Sequence, residues 1–308
     1  MNNKYFPIIS ALLVSLAIFS VIVVVDTARK KRSTTQTPVV QENTEFLGAT
    51  RDTVPTEIDL PDSTEKAFKD FKNLVKSKPG VYGLYIKDLS NGAVYAINED
   101  HYFYSASLFK LPLAIATYKE IERGTISIDQ VIEYKEEDTA YGAGQLQSTE
   151  LGGKYTIDEL LNYMMKSSDN VAQNMITRII GRNAVTIPFP EQTKSGEFPI
   201  KINATPLQVA EILEGLHYDL YIKTAHGQEL IERMSSTDFD NRINTGLSPG
   251  ITYAHKIGNW QTRGTWHDCG LATHNKTVLV CLMSEDTTFN DFLEVSQQAG
   301  IVISTLFK

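Results

Sequence analysis

Apolar residues along this chain recur with two periods, and the switches between them mark out its elements. Phe68, Phe71, Leu74 and Val75 return at helical intervals behind Asp62 and Glu65, whose spacing suits a capping box. They predict a helix opening at Asp62 or Ser63. Residues 80–87 and 93–98 are strand-like runs joined by Ser90-Asn91-Gly92, a good hairpin turn. Helical spacing then takes over, notably at 157–166 and at 171–180, where Gly181 supplies a stop. Thr205-Pro206 opens another helix, with a capping hydroxyl followed by a proline where no N–H is needed. Three more strand-like runs follow at 251–257, 265–272 and 277–283, and a last helix, from 289 to 307, carries Phe289, Phe292, Leu293 and Val295. Strands at both chain ends around a helical middle predict an α/β domain: an antiparallel sheet formed from both ends, plus a helical subdomain.

The amino-terminal part is of another kind. Residues 5–25 carry no charge and are interrupted only by Pro7 and a few serines. A helix needs about 20 such residues to cross a bilayer core. Lys4 precedes the run and Arg29-Lys30-Lys31-Arg32 follows it. A cleaved signal peptide is the rival reading, but Asp26 stands where a small residue is wanted. Residues 1–32 therefore read as an uncleaved single-span membrane anchor. Residues 33–61, rich in Thr, Gln, Asn, Glu and Pro, read as a flexible linker, and 62–308 as the folded domain. Taken alone, the basic cluster after the span would keep that domain in the cytoplasm.

A net charge of −8 argues against a partner held through nucleic-acid phosphates. The six histidines show neither H-E-x-x-H nor a zinc spacing with cysteine, so no metal is implied. Two cysteines are too few for a disulfide-built scaffold. Cys269 and Cys281 fall on consecutive strand-like runs around His274-Asn275-Lys276, and a three-residue turn there would set them opposite each other. A disulfide and a pair of buried thiols both fit that placement.

Three short motifs carry the chemistry: Ser107-Leu108-Phe109-Lys110, Ser168-Asp169-Asn170 and Lys256-Ile257-Gly258. If Ser107 opens a helix, Lys110 follows one turn later on the same face. A serine hydroxyl is a weak nucleophile until a neighbour takes its proton, and a desolvated lysine near other cations can be neutral enough to do so. Ser105 competes for the role, but no lysine stands three residues after it. Each motif also has a plainer reading: a cap serine beside a solvated lysine, an ordinary helix N-cap, a strand lysine in water.

In this order the motifs resemble those of class A β-lactamases and penicillin-binding proteins. The likeness extends to Ala172 and Asn174 after S-D-N, and to the preceding stretches that begin at Gly142 and Gly153. It implies the β-lactamase/transpeptidase-like fold, with Ser107 as nucleophile, Lys110 as base and Ser168 passing a proton to the leaving nitrogen. Asn170 would bind the substrate amide, while Asp169 would brace the loop. Lys256 would supply charge for a substrate carboxylate and depress the pKa of Lys110. Gly258 would let backbone approach the ligand, and the Asn259 amide would join that of Ser107 in an oxyanion hole. No cofactor is needed. The ligand would be a small β-lactam or a peptidoglycan stem peptide, which places the anchored domain outside the membrane despite the basic cluster.

Two departures stand out. Family members carry Thr or Ser where Ile257 stands, and losing that hydroxyl forfeits a hydrogen bond worth about 1–3 kcal/mol. The E-x-x-L-N segment that class A enzymes carry before the T-P helix is absent, leaving Glu191 and Glu197 as the acids there, with Glu191 the better candidate to activate water. Without such a base the enzyme would acylate and then hydrolyse slowly. That leaves a D-alanyl-D-alanine peptidase, or a muropeptide or β-lactam binder that has lost turnover, as the alternatives to a β-lactamase.

Overall fold

A computed structural model of the chain describes residues 62–181, 203–221 and 224–308. The apolar run at 5–25, the linker to 61, and Glu191 and Glu197 lie outside the described residues. Among those described, no helix is long and apolar enough to cross a membrane.

The chain enters through α1 (Asp62–Ser77) and forms the hairpin of β1 (Val81–Asp88) and β2 (Val94–Ile97). It leaves through β7 (Thr252–Trp260), β8 (Thr265–Thr273), β9 (Thr277–Glu285) and α7 (Phe289–Leu306). These strands make one antiparallel sheet of order β2-β1-β9-β8-β7, so β1 lies between its own hairpin partner and a strand from the other end of the chain. As predicted, the sheet is built from both ends; β7 forms one of its edges.

Both faces of the sheet are covered, which is why its central strands read as continuous apolar runs. On β9, Leu279, Cys281 and Met283 join one core cluster while Val278, Val280 and Leu282 join the other, following the two-residue alternation of a strand. The second cluster is closed by Phe71 of α1 and by Phe292, Val295 and Val302 of α7. The first packs against the helical subdomain: α2 (Lys110–Glu122), α3 (Ile157–Lys166), α4 (Asn170–Ile180), α5 (Pro206–Gly215) and α6 (Ala225–Ser235). From Lys110 to Tyr118 every residue of α2 is buried, so this helix forms the centre of the subdomain and shows no polar stripe.

Thr156 caps α3 and Thr205 caps α5, each through a reciprocal capping box, and Gly181 ends α4 at φ 80°. Three features have no forerunner in the periodicity. The pair β3 (Phe103–Tyr104) and β6 (Asn203–Ala204) is two residues long, too short to show a period. Strands β4 (Val131–Glu133) and β5 (Lys154–Thr156) pair over three residues. Helix α6 buries only Gly227, Leu230 and Met234, a thin apolar stripe. Cys269 and Cys281 face each other across β8 and β9 and form a disulfide, with 4.0 Å between their Cα atoms.

Candidate active site

The first motif sits where β3 hands over to α2. Ala106 takes the left-handed conformation at φ 47°, turning the chain sharply before Ser107. Residues Ala106–Phe109 then form a 3₁₀ turn that runs directly into α2 at Lys110. Ser107 is thus in the 3₁₀ turn rather than the first α-helical turn. This helps the pairing, because residues three apart eclipse one another in a 3₁₀ helix. Lys110 Nζ lies 3.1 Å from Ser107 Oγ.

The second motif is a rigid corner between α3 and α4. Asp169 is fully buried and caps α4, its Oδ1 accepting from the Ala172 N–H at 2.9 Å. Its Oδ2 accepts from the Leu146 N–H at 2.9 Å, which ties down the neighbouring loop. Gly144 at φ +101° lies so close that a Cβ there would stand 2.1 Å from Asp169 Oδ2. Asn170 extends the bracing, donating from Nδ2 to the Tyr141 carbonyl at 2.8 Å and from its backbone to Ala143 at 3.1 Å. Ser168 carries the strain of the corner, with φ 58°.

The third motif brings β7 up against these two. Lys256 Nζ donates to Ser168 Oγ at 3.0 Å and to the Ile257 carbonyl at 3.1 Å. Lys110 Nζ makes short contacts to the Ser168 carbonyl (2.6 Å) and Asn170 Oδ1 (2.7 Å), and lies 3.2 Å from Ser168 Oγ. The Ser168 hydroxyl therefore lies between two buried amines. Burial pushes Lys110 down to about 7, against an opposing pull from Asp169. Burial also pushes Lys256 well below the usual lysine range, helped by the charges of Lys110 and Arg242. Two short contacts use both hydrogens of a neutral Lys110 amine, which leaves its lone pair for the Ser107 hydroxyl.

Gly258 packs tightly on the nucleophile turn: a Cβ there would meet His267 Cδ2 at 2.9 Å, Ser105 O at 3.1 Å and Leu108 Cγ at 3.3 Å. Asn259 is exposed at the end of β7, and its Oδ1 accepts from Arg242 Nη2 at 2.9 Å. Ile257 is buried in register with Asp268. The structure thus gathers Ser107, Lys110, Ser168, Asn170, Lys256 and Gly258 around one point, with Asn259 next along the strand. Glu191 lies outside the described residues.

Sequence reasoning missed the supports behind these groups. Arg242 is buried, donates to the His267 carbonyl at 2.6 Å, and lies over the rings of Phe289 and Phe292. His267 is held near 4 by burial, hence neutral. Its Nε2 lies 2.8 Å from the Tyr104 carbonyl, and its Nδ1 lies 2.8 Å from the Trp266 carbonyl and 3.2 Å from the Ser284 backbone nitrogen. A lone arginine in the polar stretch before β7, and a histidine in a strand, gave no signal that could have found either. Among the described residues no group of three or more His, Cys, Asp or Glu is placed to hold a metal ion.

The model of the β-lactamase enzyme family matches this sequence over residues 66–305. The chain belongs to that family. Among curated members, β-lactamase VEB-1 of Pseudomonas aeruginosa is 25% identical over 244 residues, covering 70% of this chain and 78% of that protein. β-Lactamase FAR-1 of Nocardia farcinica is 25% identical over 227 residues, covering 67% and 71%. Solved structures share the β-lactamase fold. A β-lactamase from Xanthomonas campestris superposes with a TM-score of 0.70 at 18% identity, covering 81% of this chain and all of that one. A variant of PBP-A, captured as an acyl-enzyme with penicillin G, superposes at 0.68 and 22% identity, covering 80% of this chain and 99% of that one.

Proposed function

We propose that this β-lactamase-family enzyme hydrolyses β-lactam amide bonds through an acyl-enzyme on Ser107. The observation that carries the reading is the placement of Ser107 Oγ 3.1 Å from an amine whose pKa burial has brought to about 7. Lys110 takes the Ser107 proton as Oγ attacks the lactam carbonyl carbon. The amides of Ser107 and Asn259 stabilise the oxyanion. The carbon–nitrogen bond breaks, and the nitrogen takes a proton through the Ser168 hydroxyl, which both amines can resupply. Asn170 binds the acyl amide, Lys256 meets the substrate carboxylate, and Gly258 lets β7 lie close against the turn that carries Ser107. That anion favours the charged form of Lys256, so binding draws a proton onto it. Water then releases the acyl group. With no E-x-x-L-N segment, Glu191 is the acid proposed to activate that water.

The uncharged run at 5–25 supports an enzyme tethered by a single span, and a β-lactam substrate supports placing its domain outside the membrane.

The test is intact-mass analysis of the full chain mixed with benzylpenicillin and sampled over time. An adduct equal to the whole penicillin, mapping to Ser107 and turning over, is the expected result. Neither adduct nor opened penicillin would overturn the reading.

A further inference from the structure

The Asn170 side chain has most of its polar atoms committed within the protein. Its Oδ1 accepts from Lys110 Nζ at 2.7 Å, and its Nδ2 donates one hydrogen to the Tyr141 carbonyl at 2.8 Å. A side-chain amide carries two N–H hydrogens, so one is left for a substrate. The Tyr141 carbonyl belongs to an exposed stretch, residues 141–143. Along it the backbone carbonyls alternate in their partners. Those of Tyr141 and Ala143 accept from the side chain and the backbone N–H of Asn170. Those of Gly142 and Gly144 accept from Gln147 Nε2, at 2.7 and 2.9 Å. Gln147 Oε1 in turn accepts from the Gly142 N–H at 3.1 Å. Among the described residues no other hydrogen bond reaches Gly142 or Gly144. Both glycines have positive φ, +110° and +101°, a backbone course that glycine adopts without strain. Gln147 itself sits in the short 3₁₀ turn Leu146–Ser148, which the Leu146 N–H ties to buried Asp169.

We infer that Gln147 is a positioning residue for recognition of the acyl amide: by clamping Gly142 and Gly144 it fixes the Tyr141 carbonyl that orients the Asn170 side chain. This rests on the β-lactam reading, in which Asn170 binds that amide. The three bonds close a small ring of backbone and hold the exposed stretch against water, which competes for the same carbonyls. Without them the Tyr141 carbonyl drifts. The Asn170 amide then swings about its last side-chain torsion, which has only broad preferences of its own. Its free N–H is misdirected, and the substrate amide loses a hydrogen bond. Gln147 makes no hydrogen bond to Ser107, Lys110, Ser168 or Lys256, so it acts only through Asn170.

The test compares benzylpenicillin, which carries an acyl amide, with 6-aminopenicillanic acid, which carries a free amine in its place. Second-order rate constants of acylation are measured for the full chain and for its Q147M, Q147E, N170A and Q147M/N170A variants. Q147M fills similar space and makes none of the three bonds, while Q147E keeps the acceptor and loses both donors. The ratio of the two rate constants, benzylpenicillin over 6-aminopenicillanic acid, should fall about tenfold in Q147M, less than the hundredfold of a full ångström's misplacement. Q147E should lower it at least as far, since its carboxylate would face two carbonyls. N170A should lower the ratio as well, and adding Q147M to N170A should leave it there, because a residue acting through Asn170 then has nothing to act on. Circular dichroism checks that each variant folds. An unchanged ratio in either folded Gln147 variant, with both rates native or both falling together, would overturn the positioning role and leave the β-lactam reading intact. A further fall in the double variant would overturn it too, by placing the effect of Gln147 elsewhere. Failure of the native enzyme to acylate with either compound would remove the β-lactam reading and the positioning role with it.

Discussion

At the residue scale, the decisive feature is an amine that burial keeps near neutrality. Below pH 7 Lys110 is mostly protonated and has no lone pair for the Ser107 hydroxyl; above it the free amine dominates. The acylation rate should therefore climb about tenfold per pH unit on the acid side, bend near pH 7, and level off above it. Stopped-flow acylation across pH 5 to 9 checks this, and a flat profile would rule out Lys110 as the base. Lys110→Met should cut acylation by about 10²–10⁴, the usual span for a positioned general base. Single-turnover kinetics would read this, with circular dichroism to confirm that the variant folds. Much of this site was legible from the three motifs, because the spacing of Ser107 and Lys110 already requires one face of a helix. The supports were not. Arg242 and His267 act through backbone carbonyls and the Asn259 side chain, and nothing in the identity of an isolated arginine or histidine announces such contacts.

At the element scale, two glycines set how closely backbone segments approach. A Cβ at Gly258 would force β7 away from His267 and the nucleophile turn, since the contact at 2.9 Å leaves no room. Gly258→Ala is expected to lower kcat/KM for benzylpenicillin by about 10- to 100-fold, the effect of displacing catalytic groups by a fraction of an ångström to an ångström. The overpacking should also cost about 1–3 kcal/mol of stability, so a melting curve fixes a temperature at which the folded variant is assayed by steady-state kinetics. Gly144→Ala should instead destabilise the fold, by about 3 kcal/mol or more. It adds a Cβ onto buried Asp169 at a φ of +101°, and urea unfolding reads the loss. The same scale shows where periodicity succeeds. Residues 157–166 read as a helix because Leu160, Leu161, Met164 and Met165 return on one face, and the helix observed has those bounds. The strands observed begin or end one to three residues from the predicted runs, since ladder pairing continues through residues such as Gly258 and Trp260 that carry no apolar alternation. The β3–β6 pair exists only because tertiary packing brings Phe103 opposite Ala204.

At the scale of the whole molecule, the Cys269–Cys281 bond clamps β8 to β9 at the centre of the sheet, directly across from Lys256. In the chain-entropy account, closing a loop of this size contributes about 3 kcal/mol. The C269A/C281A variant should therefore melt about 6–12 °C lower. Differential scanning calorimetry of oxidised, reduced and doubly substituted protein would measure this, and identical midpoints would mean that the ladder alone sets the register. The overall layer arrangement followed from the order of runs along the chain, because strands at both ends can satisfy their edges only by meeting each other. What the runs left open was the state of the two thiols, since facing positions across a hairpin permit a bond without requiring one.

The place of β1 has a consequence for how the molecule is made. Its outer edge finds β2 within a few residues, but its inner edge waits for β9, with Val81 opposite Glu285. A ribosome extending the chain from its amino end has therefore produced the whole helical subdomain before the first strand gains its second neighbour. Until then Leu84 and Ile86 have no finished core to enter. The sheet can close only late, so a chain interrupted before β9 forfeits its first strands along with its last.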